Sequence, residues 1–243
     1  MIALLRLLLL IPLFFLVCIG GSIFCIFRPF HRNNTRAVAH FLSALHPLLG
    51  IKLQIINNDN VNSAYNVPSV FIANHQNTYD LFTISAAVID STVSIGKKSI
   101  RWIPFFGQLY WLSGNILIDR NNKSSAKATI DQVSARISND KVSIWMFPEG
   151  TRSNGKGLLP FKLGAFNTAI QAGVPIIPII MSTTTDIKLN RLNNGHVLIE
   201  ILDPISTDPY ELANAKELAQ RCHQLMLIKA QQLDQKVSHL NNS

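Results

Sequence analysis

An uncharged apolar run, Leu7 to Phe27 (LLLLIPLFFLVCIGGSIFCIF), lies close to the start of the chain. At a rise of about 1.5 Å per residue such a helix is roughly 30 Å long, the thickness of a bilayer's hydrocarbon core. The pattern predicts an apolar membrane helix over about residues 2–27. Arg6 precedes the run, and Arg28, His31, Arg32 and Arg36 follow it. The heavier basic flank is C-terminal, so the remaining chain is expected on the cytoplasmic side of the membrane. A cleaved signal peptide is the competing reading; the run is too long for one, and Phe24, Cys25 and Phe27 stand where small residues would be needed. Within residues 35–49, Val38, Phe41, Leu42, Leu45, Leu48 and Leu49 fall on one helical face. That amphipathic helix either lies in the membrane interface or packs on the domain C-terminal to it.

After Gly50 the period changes. Ile51–Ile56, Val70–Ala73, Thr92–Ile95, Asn115–Ile118, Val142–Met146 and Val197–Leu202 read as strands. Asp80–Val88, Ser124–Ile137, Phe161–Ala172 and Tyr210–Val237 read as helices, with Gly173 as a C-terminal stop. Val174–Met181 reads as a strand interrupted by Pro175 and Pro178, hence one at a sheet edge or containing a bulge. Alternation of this kind predicts an α/β fold: a mostly parallel or mixed sheet flanked by helices. Two units are expected, membrane-associated helices in residues 1–50 and one catalytic-sized domain in residues 51–243.

Composition supports a membrane contact. Charged residues are 15% of the chain, well below the usual quarter, and the mean hydropathy is +0.22. Intrinsic disorder needs the opposite balance. The 22 Lys and Arg against 14 Asp and Glu leave +8, which suits an anionic partner: nucleic acid, an anionic membrane surface or a phosphorylated substrate. The three cysteines form neither a disulfide framework nor a metal spacing, as in a reducing compartment.

Two segments concentrate chemistry. In Asn74–Asp80 (NHQNTYD), His75 and Asp80 are five residues apart. On one continuous helix they would diverge by about 140°. They meet if His75 lies in the loop after the Val70–Ala73 strand and Asp80 in the first turn of the next helix, with Thr78 as N-cap. Asp80 would then orient the imidazole and support its charge. No G-x-S-x-G elbow and no suitably placed Cys supplies a nucleophile. A base without a protein nucleophile activates a hydroxyl or water from outside, provided the electrophile is reactive, as a thioester is.

The second segment, Phe147–Ser153 (FPEGTRS), follows the VSIWM strand, where open α/β sheets build sites. Gly150 permits close backbone approach, Thr151 adds a hydroxyl, and Arg152 offers a fork for phosphate or carboxylate. Glu149 could hold the Arg or bond a substrate hydroxyl. Between the two segments, Gly96–Arg120 interleaves Lys97, Lys98, Arg101 and Arg120 with Trp102, Phe105, Phe106, Tyr110 and Trp111. That mixture fits single-stranded nucleic acid, a phosphate site beside an apolar groove, an interfacial surface, or aromatics that are ordinary core.

Taken together, NHQNTYD, GNILIDR (Gly114–Arg120), FPEGTRS and VPIIPI (Val174–Ile179) resemble the ordered blocks of the glycerolipid acyltransferases, in particular the bacterial 1-acyl-sn-glycerol-3-phosphate acyltransferases. Leu117, where the family often has Phe, and Asn77, where it often has Ser, are mild departures. The resemblance implies transfer of an acyl chain from an acyl carrier protein or coenzyme A thioester to the sn-2 hydroxyl of lysophosphatidic acid at the inner membrane. It implies His75 as general base, Asp80 as its orienting partner, and Lys97, Arg120 and Arg152 as the grip on the acceptor phosphate. Glu149, Gly150 and Thr151 would shape the acceptor site. No cofactor, metal or nucleic acid is implied. The rival readings are a related acyltransferase using glycerol 3-phosphate or another lysolipid, and a basic membrane protein binding nucleic acid or anionic lipid.

Overall fold

The computed structural model describes residues 1–57, 67–119 and 126–242. A 7-stranded sheet runs in the order β1-β7-β6-β2-β5-β3-β4. Its strands are β1 (Ile51–Asn57), β2 (Val70–Ala73), β3 (Thr92–Lys97), β4 (Ile116–Ile118), β5 (Ser143–Met146), β6 (Ile176–Met181) and β7 (Gly195–Ile201). β6, β2, β5, β3 and β4 run parallel, while β7 is antiparallel to β6 and carries β1 parallel to itself. The sheet is therefore mixed, and every residue of β2 and of β6 is buried, as unbroken apolar runs covered on both faces should be.

Six α-helices occur among the described residues: α1 (Ile2–Ile26), α2 (Asn34–Ser43), α3 (Phe106–Leu112), α4 (Ala126–Asp140), α5 (Gly164–Ala172) and α6 (Ala215–Asn242). Period-2 alternation divides the sheet's side chains between two cores. Val70, Ile72, Ile144, Ile176 and Ile180 pack under α4, α5 and α6. Phe71, Trp145, Ile177 and Ile179 face the other way, toward Leu10 of α1 and Ala39 of α2. α5 stops as expected: Gly173, at φ 61°, donates to the carbonyls of Ala169 and Ile170.

α1 is long and apolar enough to cross a membrane, yet one stripe of it (Arg6, Leu10, Cys18 and Cys25) is buried against the protein. The Arg6 guanidinium donates to the carbonyls of Leu189 at 3.0 Å and Leu192 at 2.8 Å, and also to that of Arg191. At the other end, Cys25 Sγ lies 3.7 Å from Ser113 Oγ, and Phe30 N–H donates to Leu112 O at 3.0 Å. Both ends of the helix are thus fastened to the body of the fold.

Two expectations change and a third is decided between its alternatives. The stretch Asp80–Val88 is two 3-10 turns, Thr78–Leu81 and Ile84–Ala87, rather than one helix. Thr83 and Ser85 hydroxyls return to the carbonyls of Tyr79 and Leu81, competing with helix propagation. The N-cap is Asn77, not Thr78, its side chain accepting from Tyr79 N–H at 2.8 Å. Of the edge or bulge expected for β6, the bulge is found, in an interior strand. Pro175 O bonds β2, so alternation turns Pro178's nitrogen toward β7, where one extra residue between the Ile179–Ile201 and Ile176–Ile205 pairs makes a bulge. The missing donor is accommodated on that side.

Candidate active site

β2 delivers His75 just past its C-terminal end. Its Nδ1 lies 2.6 Å from Asp80 Oδ2, and the same oxygen accepts the Gln76 N–H at 2.8 Å. The tight 3-10 turn from Thr78 brings Asp80 back, and Asp80 Oδ1 accepts the Asn77 N–H to close a capping box. Asp80 is 5% exposed. The imidazole stacks on Phe147 at 4.1 Å with planes 17° apart, which fixes the ring's second degree of freedom. Nδ1 engaged by a carboxylate leaves Nε2 available to the cavity that His75 lines.

FPEGTRS is joined to this loop backbone to backbone. Ser153 N–H donates to His75 O at 2.8 Å and Asn154 N–H to Gln76 O at 2.9 Å. Glu149, 2% exposed, accepts the N–H of His75 on Oε1 at 2.7 Å and that of Leu159 on Oε2 at 2.9 Å. Burial raises its pKa above the ordinary 4.5, with the two backbone donors pulling the other way. Among the described residues Glu149 holds no arginine, and it does not line the cavity at His75.

The end of β6 supports the loop from the opposite side. Asn74 exchanges two bonds with the Met181 backbone, each at 2.9 Å. Gln76 donates to Ser182 O and accepts from Thr184 N–H, both at 2.8 Å, and Asn77 donates to Thr184 Oγ1 at 2.8 Å. The apolar VPIIPI block therefore reaches the site through the residues after it. Asn74, Gln76, Ser182, Thr184 and Phe147 are positioning groups that sequence reasoning passed over. The signal was present: three amide side chains crowd the histidine in NHQN.

A cavity of about 510 Å³ runs from this corner into the core between the sheet, α2 and α3. His75, Lys97 and Arg152 line it together, with apolar walls that include Leu42, Ile84, Phe106 and Leu109. Arg152 Nη1 touches Thr78 Oγ1 at 3.4 Å, and Lys97 ends β3. Arg120 lies outside the described residues. Gly150 faces a smaller cavity of about 270 Å³ and sits at φ 71°, where a Cβ would come 2.8 Å from Lys162 Nζ. Thr151 is exposed and lines neither cavity. Of the aromatics from Phe105 to Trp111, Phe106 and Tyr110 line the larger cavity while Phe105 and Trp111 are exposed. No cluster of three His, Cys, Asp or Glu suited to a metal occurs among the described residues.

A base oriented by a carboxylate, two cations and a long apolar channel suit a substrate with an anionic head, a hydroxyl and a hydrocarbon tail. Residues 52–182 match the family model described as Acyltransferase. The chain is 50% identical over 224 residues to the 1-acyl-sn-glycerol-3-phosphate acyltransferase of Escherichia coli, covering 92% of this chain and 91% of that one. It is 46% identical over 243 residues to the Haemophilus influenzae protein of the same name, covering 99% and 100%. The crystal structure of the lysophosphatidic acid acyltransferase of Thermotoga maritima superposes with a TM-score of 0.71 at 21% identity, covering 96% of this chain and 98% of that one, so the fold is shared.

Proposed function

The chain belongs to the 1-acyl-sn-glycerol-3-phosphate acyltransferase family, and from that premise we propose how its residues acylate lysophosphatidic acid. His75 Nε2 takes the proton of the sn-2 hydroxyl as that oxygen attacks the carbonyl of an acyl thioester, carried by acyl carrier protein or coenzyme A. Asp80, 2.6 Å from Nδ1, stabilises the imidazolium that forms. The tetrahedral adduct collapses, the C–S bond breaks, and the departing thiolate recovers the proton from His75. Phosphatidic acid and a free thiol leave; no acyl-enzyme forms.

Lys97 and Arg152, with Arg120, hold the acceptor phosphate, and an acyl chain lies in the apolar cavity. Residues 51–243 are the catalytic domain. The protein associates with a membrane through the helices of residues 1–50, and the reading places it on the cytoplasmic side of the inner membrane. The observation that carries the proposal is that the His75–Asp80 pair opens into the same cavity as Lys97 and Arg152. The test is purified protein with lysophosphatidic acid and labelled acyl thioesters of both carriers, with the product identified. Phosphatidic acid is the expected product; acylation of glycerol 3-phosphate alone would shift the assignment to a related acyltransferase.

A further inference from the structure

Beyond the cavity, Lys98–Phe105 displays a cluster of large apolar side chains. Trp102 is 76% exposed, Ile103 47% and Phe105 49%. The backbone is built to display them. Phe105 has φ 64° and ψ −48°, and Phe106 N–H donates to Pro104 O at 2.7 Å, closing a γ-turn of the strained hand. A bulky residue in that conformation is strained. The turn gives two consecutive phenyl rings different surroundings, both against α1. Phe106 points inward, stacking on Phe14 at 5.9 Å and lining the cavity. Phe105 points outward, edge-on to Phe15 of α1 at 5.4 Å, and so joins the exposed apolar side of that helix.

Cations flank the cluster. Lys98 and Arg101 are exposed, and the Arg101 guanidinium lies 5.0 Å above the Trp102 ring. Aromatics beside Lys and Arg, continuous with an apolar helix, are the composition of a bilayer interface with anionic headgroups. An acidic protein would be met by the cations without needing the exposed rings. Lys97, Ile100 and Ile103 also line the cavity, so this segment forms one of its lips.

We propose that Lys98–Phe105 is a second membrane-docking element, inserting its apolar tip into an anionic lipid surface beside α1 and holding the cavity mouth at the interface. The inference rests on the membrane association of α1 and not on the roles of His75 or Arg152.

Full-length protein in vesicles of phosphatidylcholine with one quarter phosphatidylglycerol provides the test. Trp111→Phe leaves Trp102 and the buried Trp145 as reporters, and Trp102→Phe supplies the subtraction. Lipids brominated near the headgroup should quench Trp102 emission at least twofold; unquenched Trp102 overturns the proposal. The double variant Trp102→Ser/Phe105→Ser should lower kcat/KM for vesicle-held lysophosphatidic acid about tenfold and leave a short-chain, water-soluble acceptor unchanged. An equal loss on both acceptors, or a loss confined to the carrier-protein thioester with coenzyme A thioester unaffected, would also overturn it. The quenching arm needs no turnover, so its result stands apart from whether the acyl-transfer reading holds.

Discussion

One carboxylate oxygen of Glu149 accepts the backbone N–H of His75 at 2.7 Å. With the other oxygen on Leu159 N–H, a buried acid ties the peptide unit of His75 to the loop that bears Arg152. Glu149→Gln turns one of these acceptors into a donor facing an N–H, at a cost of about 1–3 kcal/mol in stability near pH 5. We expect kcat to fall at least tenfold with the acceptor KM little changed. A raised KM at unchanged kcat would put Glu149 on the substrate instead.

The same residue predicts a pH trend. Its pKa is raised from 4.5 in the folded state, so its contribution to stability is complete below 4.5 and is lost as pH rises through the raised value. The advantage of the wild type over Glu149→Gln should therefore shrink between pH 4.5 and pH 7. Urea midpoints for both proteins across that range check the sign.

Asp80→Asn keeps the shape of the turn but removes the charge opposite Nδ1. Turnover should drop between about 10² and 10⁴-fold, and His75→Ala should do at least as much, with circular dichroism and membrane attachment unchanged. Residual activity above a tenth of wild type in either variant would remove the pair from the chemistry.

Arg152 and Lys97 face the cavity with His75 from different strands' ends. Arg152→Ala and Lys97→Ala should each raise the KM for lysophosphatidic acid about tenfold, with smaller effects on the thioester donor. A monoacylglycerol, lacking the phosphate, should be used poorly by all three proteins and with equal efficiency. Discrimination against it by the variants would count against phosphate recognition.

Arg6→Met removes the guanidinium from the carbonyls of Leu189, Arg191 and Leu192 while keeping an apolar stem. The bonds lost are part-buried and each contributes about 0.5–1.5 kcal/mol, so a lower thermal midpoint in detergent is expected. Protease cleavage between Lys188 and Leu192 should accelerate. Unaltered cleavage would mean that the helix start is held by its apolar stripe alone.

Local chemistry makes much of this fold legible in the sequence. β2, β5 and β6 are short apolar runs between turn residues, and a run of that kind is buried in almost any arrangement. α1 declares itself by length without charge, and Gly173 by its place after the last apolar residue of α5. His75, Asp80 and Arg152 stand out in the sequence because they fall in the ordered blocks that carry the family resemblance, and Lys97 because it lies in the basic, aromatic segment between two of them.

The features outside a linear reading depend on neighbours distant in the chain. Pro178 announces an edge or a bulge without choosing between them, because the choice depends on whether β7 pairs on that side. Glu149 looks like a partner for Arg152, two residues on from Gly150, because the N–H of His75 comes from the loop after β2, 74 positions earlier. The strained turn at Phe105 puts one ring on Phe15 at the exposed side of α1 and the next on Phe14 in the cavity wall, contacts that exist only once α1 is docked. Periodicity and charge are properties of adjacent residues and survive in the sequence. Which donor meets which acceptor across strands is decided only when the sheet closes, since a buried polar group takes the partner the fold brings to it.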